Sequence, residues 1–258
     1  MCRHIAYLGP SITLESLLID QPHSLVQQSW APTQQPNGIM NADGFGVGWY
    51  SSDPAPARYR RDRPIWGDAG FADLARVTRS HAVLAAVRSA SAGMPFGESA
   101  CAPFASGRWL FSHNGFLEGY PAKAGSLAAT LEPVRLLELE AATDSALLWV
   151  LVRDRLERGA RLGDSLTEVV QLVAAKCVAE GSIAENSVAE NSDARMNFLL
   201  TDGQGVAATS VGNTLFWRTT DDSVVVASEP YDEEPGWNRV PDNSLLVATT
   251  RGVEVSTL

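Results

Sequence analysis

The sequence predicts an α+β fold in which two antiparallel sheets are flanked by helices. Three observations lead there. From Met196 onward, short strand-like runs at 197–201, 206–210, 214–218, 223–227, 245–248 and 253–255 are separated by turn residues such as Asp202-Gly203 and Thr220-Asp221-Asp222. That spacing belongs to antiparallel hairpins. Two helical stretches stand ahead of them, and further strands stand ahead of the helices. Strands, then helices, then strands is not a repeated βαβ unit, which excludes a doubly wound parallel sheet.

Taken in order, Arg3–Gly9 reads as a short strand closed by a Gly-Pro turn, with Ser11 capping a helix through Ile19. Residues 21–43 are rich in Gln, Pro and Asn and read as a long loop, a feature more often functional than incidental. Phe45–Tyr50 reads as a strand whose glycines permit close backbone approach. Residues 52–70 are rich in Pro and Arg and read as irregular. The apolar run His81–Val87 is a buried strand, and Arg108–His113 is another. Thr143 or Asp144 caps an amphipathic helix to Arg158, stopped by Gly159. Ser165 and Glu168 form a capping box for a helix to about Ala179. The Ala-Glu-Asn-Ser repeat within 181–192 reads as an exposed loop.

A chain of 258 residues, 45% of them hydrophobic, has the length for a sizeable core, and one domain over 1–258 is expected. No run of 18 apolar residues and no basic-then-apolar leader is present, so neither a membrane span nor secretion is expected. Twenty Lys+Arg against 30 Asp+Glu give a net charge of -10, which argues against nucleic acid or anionic membrane as partner and tolerates a cationic substrate. Three scattered cysteines suggest no disulfide framework, and a reduced, cytoplasmic setting is expected. Cys2, His4, His81 and His113 lack the compact spacing of a metal site, and no metal or cofactor is called for. Oligomeric state is not legible.

Cys2 follows the initiator Met1 directly. Cysteine is small enough for the initiator to be trimmed ahead of it, and trimming is expected to leave a thiol and a free α-amine on one residue. Their ordinary pKa values, roughly 8.5 and roughly 7.7–8.0, are close enough to trade a proton near neutrality. Nucleophile and general base would then share one amino acid. Further along, the Asn114 side chain and Gly115 N–H can form an oxyanion hole or a plain hairpin turn. Arg88, followed by Ser89-Ala90-Ser91, can bind a carboxylate or serve as a strand-end charge. Asp144 can complement a helix dipole or hold an ammonium.

Together these motifs resemble the class II glutamine amidotransferases, a branch of the N-terminal-nucleophile hydrolases. The resemblance rests on Cys2 after Met1, Asp43-Gly44-Phe45-Gly46-Val47-Gly48-Trp49, Arg88-Ser89-Ala90-Ser91, His113-Asn114-Gly115 and Thr143-Asp144-Ser145, in family order along the whole chain. It implies a four-layer αββα sandwich and a small γ-glutamyl substrate. It also implies roles. Cys2 would attack the γ-carbonyl with its α-amine as base, through a water. Asn114 and Gly115 would stabilise the oxyanion. Arg88, Ser91, His113 and Asp144 would bind the glutamyl group, with Arg88 on its carboxylate and Asp144 on its ammonium.

Ser89, Ser91 and Ala92 depart from the aromatic, Thr and His that many members carry after the clamp arginine. A chain ending at Leu258 leaves no room for a synthase domain, so the leaving amine is expected to be larger than ammonia. The opening stretch Cys2–Gly9 and Ser228-Glu229-Pro230 look most like the branch that hydrolyses a γ-glutamyl intermediate in ergothioneine biosynthesis. The alternative is the glutaminase subunit of a two-chain amidotransferase. For a trimethylammonium-bearing substrate, Trp30, Trp66 and Trp237 are candidate cation–π walls, with Asp232, Glu233 and Glu234 adding negative potential.

Overall fold

The computed structural model describes residues 2–34, 40–91, 93–179 and 194–258. Along the chain the strands are β1 (Arg3–Thr13), β2 (Phe45–Trp49), β3 (Ala57–Arg61), β4 (Arg79–Val87), β5 (Phe104–Ser106), β6 (Trp109–Leu117), β7 (Ala194–Thr201), β8 (Val206–Ser210), β9 (Phe216–Thr219), β10 (Val224–Ala227), β11 (Asn238–Arg239), β12 (Ser244–Thr249) and β13 (Gly252–Thr257). The helices are α1 (Leu14–Leu18), α2 (Leu25–Gln28), α3 (Phe71–Val77), α4 (Gly125–Ala128), α5 (Pro133–Leu136), α6 (Asp144–Glu157) and α7 (Leu162–Ala179). One sheet runs β11-β9-β10-β1-β4-β2-β3 and the other β13-β12-β8-β7-β6-β5. Every pairing among the described residues is antiparallel.

Alternation along the strands builds the layers, because successive side chains leave opposite faces. On β1, Ile5 and Tyr7 join a core with α1, α2 and α3, while Ala6 and Leu8 face the other way. On β4, Val83, Ala85 and Val87 follow the first set, and Ala82 and Leu84 the second. The second sheet divides alike. Phe111 of β6 and Phe198 and Leu200 of β7 pack on α6 and α7, whereas Leu110 and Leu199 meet Ala6, Leu8 and Leu84 between the sheets. Three cores separate four layers, helices outside and sheets inside, as the fold class requires. Gly48 serves this packing, since a Cβ there would come within 2.6 Å of Leu110 of the opposing sheet.

Local departures from the sequence expectations have physical reasons. β1 does not stop at Gly9 but continues to Thr13, its register on β4 shifting between Leu8 and Ile12. The cap of α1 is therefore Thr13, not Ser11, with Thr13 Oγ1 accepting from Ser16 N at 3.1 Å. The loop at 21–43 contains the one-turn helix α2, and the 52–70 stretch contains edge strand β3, whose Arg58 and Arg60 pair with Glu140. Thr143 caps α6 by accepting from Ala146 N at 3.1 Å, and α6 is buried on most sides rather than amphipathic. Ser165 forms no capping box. It sits inside α7, its hydroxyl donating back to Leu162 O at 2.7 Å, and Glu168 pairs with Arg155. The Ala-Glu-Asn-Ser repeat lies outside the described residues. Among the described residues, no helix is long and apolar enough to cross a membrane.

Phe111 is the keystone of the outer core of the second sheet. It is fully buried, stacks on Trp149 at 5.4 Å and touches Phe198 at 5.3 Å. Phe111→Ala is expected to lower unfolding free energy by about 3–5 kcal/mol, read as a shifted urea midpoint with unchanged slope.

Candidate active site

Cys2 stands immediately before β1 and is half-buried. Two adjoining clefts meet at it, sharing Cys2, Arg88, Ala100 and Ser145. One is completed by Phe45, Phe104 and His113, and the other by Ser89, Ser91, Gly115 and Asp144. The Cys2 thiol points at the Ser89 carbonyl from 3.8 Å. A larger groove lies elsewhere, lined by Arg161, Asp202, Thr249 and Glu254 among others, but it contains no cysteine or histidine to act as nucleophile or base.

Strand parity explains why Cys2 and Asn114 share this end of the fold. His4 of β1 and Ser112 of β6 both point between the sheets and meet at 3.2 Å, Nδ1 to Oγ. At the far end, Leu8 and Leu110 share the inter-sheet core. The strands therefore cross in opposite directions, and stepping outward from His4 and Ser112 reaches Cys2 on one sheet and Asn114 on the other. Ser228 holds this start of β1 in place, donating its N–H to His4 O at 2.9 Å and accepting from His4 N at 3.0 Å.

The strand β6 runs straight through Asn114 and Gly115 to Leu117, so the Asn-Gly pair is neither a strand end nor a hairpin turn. Asn114 is fully buried, and its Nδ2 has no partner among the described residues. Gly115 admits no side chain, because a Cβ would collide with the Arg195 carbonyl.

Arg88 follows β4 and is nearly buried. Its Nη2 donates to Pro95 O at 3.0 Å, while Nη1 is buried without a partner among the described residues. The glycine stretch brackets it: Arg88 N donates to Gly44 O at 2.8 Å and Asp43 N to Arg88 O at 3.0 Å. Asp43 Oδ2 also accepts from Ala90 N at 2.8 Å, tying down the segment that leads to Ser91. Ser91 is exposed on the cleft wall.

Asp144 opens α6 from the facing side. Its Oδ2 accepts from Leu117 N at 3.0 Å and its Oδ1 from Ser145 N at 2.7 Å. His113 supports that turn rather than offering a free nitrogen. Its Nε2 lies 2.8 Å from the Arg195 carbonyl, which can only accept, so Nε2 carries the proton. Nδ1 is then the acceptor, and the Ser145 hydroxyl, 3.0 Å away, donates to it. Burial pushes His113 down from its ordinary pKa, with Asp144 pulling the other way. Burial, then the charges of Arg3 and His113, hold His4 well below its ordinary value.

Two other sequence suggestions look different in three dimensions. Trp237 is not an open cation wall. Arg218 already lies 5.0 Å over its ring, and its Nε1 donates to Asp232 at 2.8 Å. Asp232 is in turn held bidentately by Arg218 at 2.6 and 2.8 Å, so its charge is spent. Trp30 and Trp66 pack edge-to-face on each other at 5.4 Å. His81, exposed on β4, is not gathered with Cys2, His4 and His113. The sequence motifs include Asp43 and Ser145 but give neither a role of its own, and Asn197 and Asn213 carry no local signal that singles them out.

Residues 16–220 match the model of the class II glutamine amidotransferases. The chain belongs to that family. It is similar along its whole length to γ-glutamyl-hercynylcysteine sulfoxide hydrolases. With the protein from Mycolicibacterium smegmatis it shares 40% identity over 260 residues, covering 100% of both chains. With that from Mycobacterium tuberculosis it shares 39%, covering 100% of this chain and 97% of the relative. Among solved structures, a glutamine aminotransferase class-II domain protein from Silicibacter pomeroyi superposes with a TM-score of 0.69 at 22% identity, covering 99% of each chain. The glutamine phosphoribosylpyrophosphate amidotransferase of B. subtilis gives 0.62 at 15% identity, covering 99% of this chain and 49% of that one. These structural likenesses confirm the amidotransferase fold.

The depressed histidines make stability pH-dependent. A His held neutral by burial contributes stability present above its unfolded pKa and lost as pH falls toward its folded one. Unfolding free energy is expected to drop as pH falls below about 6.5. Urea titrations between pH 5 and 8 should show that drop, and it should be shallower in His4→Gln.

Proposed function

We propose that this chain is a γ-glutamyl amide hydrolase that releases glutamate from γ-glutamyl-hercynylcysteine sulfoxide, with the single domain over 1–258, once Met1 is removed, acting as one catalytic unit in the cytoplasm. One observation carries the chemistry. The half-buried Cys2 thiol lines the same cleft as a nearly buried guanidinium with an unpaired N–H, Arg88, and a carboxylate on the facing wall, Asp144. A glutamyl end offers the opposite pair, a carboxylate and an ammonium, beside the carbonyl to be attacked. The full-length identity of 40% to a hydrolase of that name supports the substrate.

In this mechanism Arg88 Nη1 takes the substrate α-carboxylate, with the Ser91 hydroxyl assisting, and Asp144 takes the α-ammonium. His113 and Ser145 order the turn that presents Asp144. The freed α-amine of Cys2 accepts the thiol proton, directly or through a water. Sulfur bonds to the carbonyl carbon of the γ-glutamyl amide as the carbonyl pair moves to oxygen. Asn114 Nδ2 and Gly115 N–H stabilise that oxyanion. Collapse re-forms the carbonyl and breaks the C–N bond, and the α-ammonium returns its proton to the departing amine. Water, losing a proton to the same α-amine, then cleaves the γ-glutamyl thioester and frees glutamate and the Cys2 thiol.

The masked amine is the sharpest test. With Met1 retained, the Cys2 nitrogen is an amide and cannot serve as base. Mass spectrometry of the N-terminus alongside glutamate-release assays should find turnover only in the processed form. Cys2→Ala should abolish release. Turnover of γ-glutamyl-hercynylcysteine sulfoxide should far exceed that of glutamine, and equal or better use of glutamine would refute the substrate assignment.

Arg88→Lys keeps the charge but loses the planar fork. KM is expected to rise by about 10–100-fold, the equivalent of a lost charge-assisted bond of about 1.5–3 kcal/mol. Steady-state kinetics on the same substrate would register it.

A further inference from the structure

We infer that Asn213, clamped by Asn197, is a positioning residue that sets which way the Asn114 side-chain amide faces. This rests on the oxyanion role proposed above for Asn114. Asn114 of β6 and Asn197 of β7 are register partners, and both are fully buried. Asn197 spends the whole hydrogen-bonding capacity of its amide on the connection between β8 and β9. Its Oδ1 accepts from Val211 N at 3.0 Å and Asn213 N at 3.1 Å. Its Nδ2 donates to Asn213 O at 3.0 Å and Thr214 O at 3.3 Å. An amide offers two lone pairs and two N–H groups, and all four are used here.

The backbone of Asn213 is therefore held at both its N–H and its carbonyl, with Ser210 Oγ donating a second bond to that carbonyl at 3.3 Å. The preceding residue, Gly212, has φ +82° and donates to Asp242 Oδ1 at 2.9 Å, which completes the turn. So anchored, Asn213 aims its Nδ2 at Asn114. It donates to Asn114 O at 3.0 Å and lies 3.5 Å from Asn114 Oδ1.

That approach decides between the two faces of the Asn114 amide. With Oδ1 toward Asn213, donor meets acceptor. Flipped by half a turn, two NH₂ groups would oppose each other in a buried site. The flip that persists turns Asn114 Nδ2 away from Asn213, where it stays buried and unpaired among the described residues. A donor oriented before the reaction costs no reorganisation when negative charge develops on a carbonyl oxygen. Neither Asn197 nor Asn213 lines the cleft.

The test compares the processed full-length chain with Asn213→Ala, Asn213→Asp and Asn114→Ala. Three quantities are measured: kcat and KM on the γ-glutamyl amide that wild type turns over fastest, inhibition by glutamate, and inhibition by glutamate γ-semialdehyde. The aldehyde accepts the Cys2 sulfur at its carbonyl carbon, and the thiol proton ends on the new hydroxyl, so it loads the oxyanion site without breaking a bond to a leaving group. Losing one oxyanion donor typically costs about 10²–10³ in kcat, and a misaligned one is expected to cost about tenfold or more in both Asn213 variants. KM should stay within about threefold of wild type, since ground-state binding does not use this donor. Aldehyde inhibition should weaken by the same factor as kcat, with glutamate inhibition unchanged. In Asn213→Asp the ratio of its kcat to wild type should recover as pH falls, because a protonated carboxyl can again donate to Asn114 Oδ1.

Unchanged kcat, or equal loss of aldehyde and glutamate binding, would overturn the positioning role. If Asn114→Ala loses kcat and aldehyde binding while both Asn213 variants keep them, the relay alone is wrong. If Asn114→Ala itself keeps both, the oxyanion assignment falls and takes the relay with it. Should Asn213→Ala fail to fold, the near-isosteric Asn213→Asp decides.

Discussion

The contact of His4 Nδ1 with Ser112 Oγ, 3.2 Å across the gap between the sheets, is the tie on which the site depends. Most of the inter-sheet layer is apolar and sets spacing without direction. The His4–Ser112 contact is polar and directional, and it lies one step inward from both Cys2 and Asn114. Burial keeps His4 neutral, so the tie does not introduce a charge into the core. Ser228 grips the backbone of the same residue from β10's end, which leaves the start of β1 little freedom to drift. A nucleophile at the very beginning of an ordered chain would otherwise be subject to the fraying common at termini.

Around that tie the cleft is built from polar groups kept short of partners. Arg88 Nη1 and Asn114 Nδ2 are buried donors without protein acceptors among the described residues. Each such group costs on the order of 1–3 kcal/mol when left unsatisfied, a cost that folded chains rarely retain without a use. Both donors are held in place by hydrogen-bonded neighbours. Gly44, Asp43 and Pro95 fix Arg88, while Asn213 and Asn197 fix Asn114. On the facing wall His113, Ser145 and Leu117 do the same for Asp144. Rigid support behind unsatisfied front atoms is the arrangement that favours a charged transition state over bulk water.

Much of this was legible in the chain. The apolar run at 81–87 and the turn-punctuated short runs across 197–227 predict the sheets because both are local properties of the chain. Cys2, Arg88 and Asp144 stand out as chemically distinctive residues at segment boundaries, and Asn114-Gly115 as a distinctive dipeptide, although it lies inside β6. The failures are equally local. Ser11 and Ser165 resemble caps, but β1 runs on past the first with a shift of register on β4, and helix α7 had already begun before the second. Asn114-Gly115 resembles a turn by dipeptide composition, yet β7 pairs with it residue for residue and holds it extended. Trp237 and Asp232 resemble a cation site, and they are one, but the cation is the chain's own Arg218.

The sequence by itself determined the fold class, the order of the motifs and the identity of the reactive groups, since these follow from periodicity and side-chain chemistry within a few residues. Only the tertiary structure decided which face of each group is free. The orientation of the Asn114 amide is set by Asn213, 99 residues away along the chain. The tautomer of His113 is set by the carbonyl of Arg195, 82 residues away. Hydrogen-bond direction depends on what stands opposite, and that appears only when distant strands are brought into register.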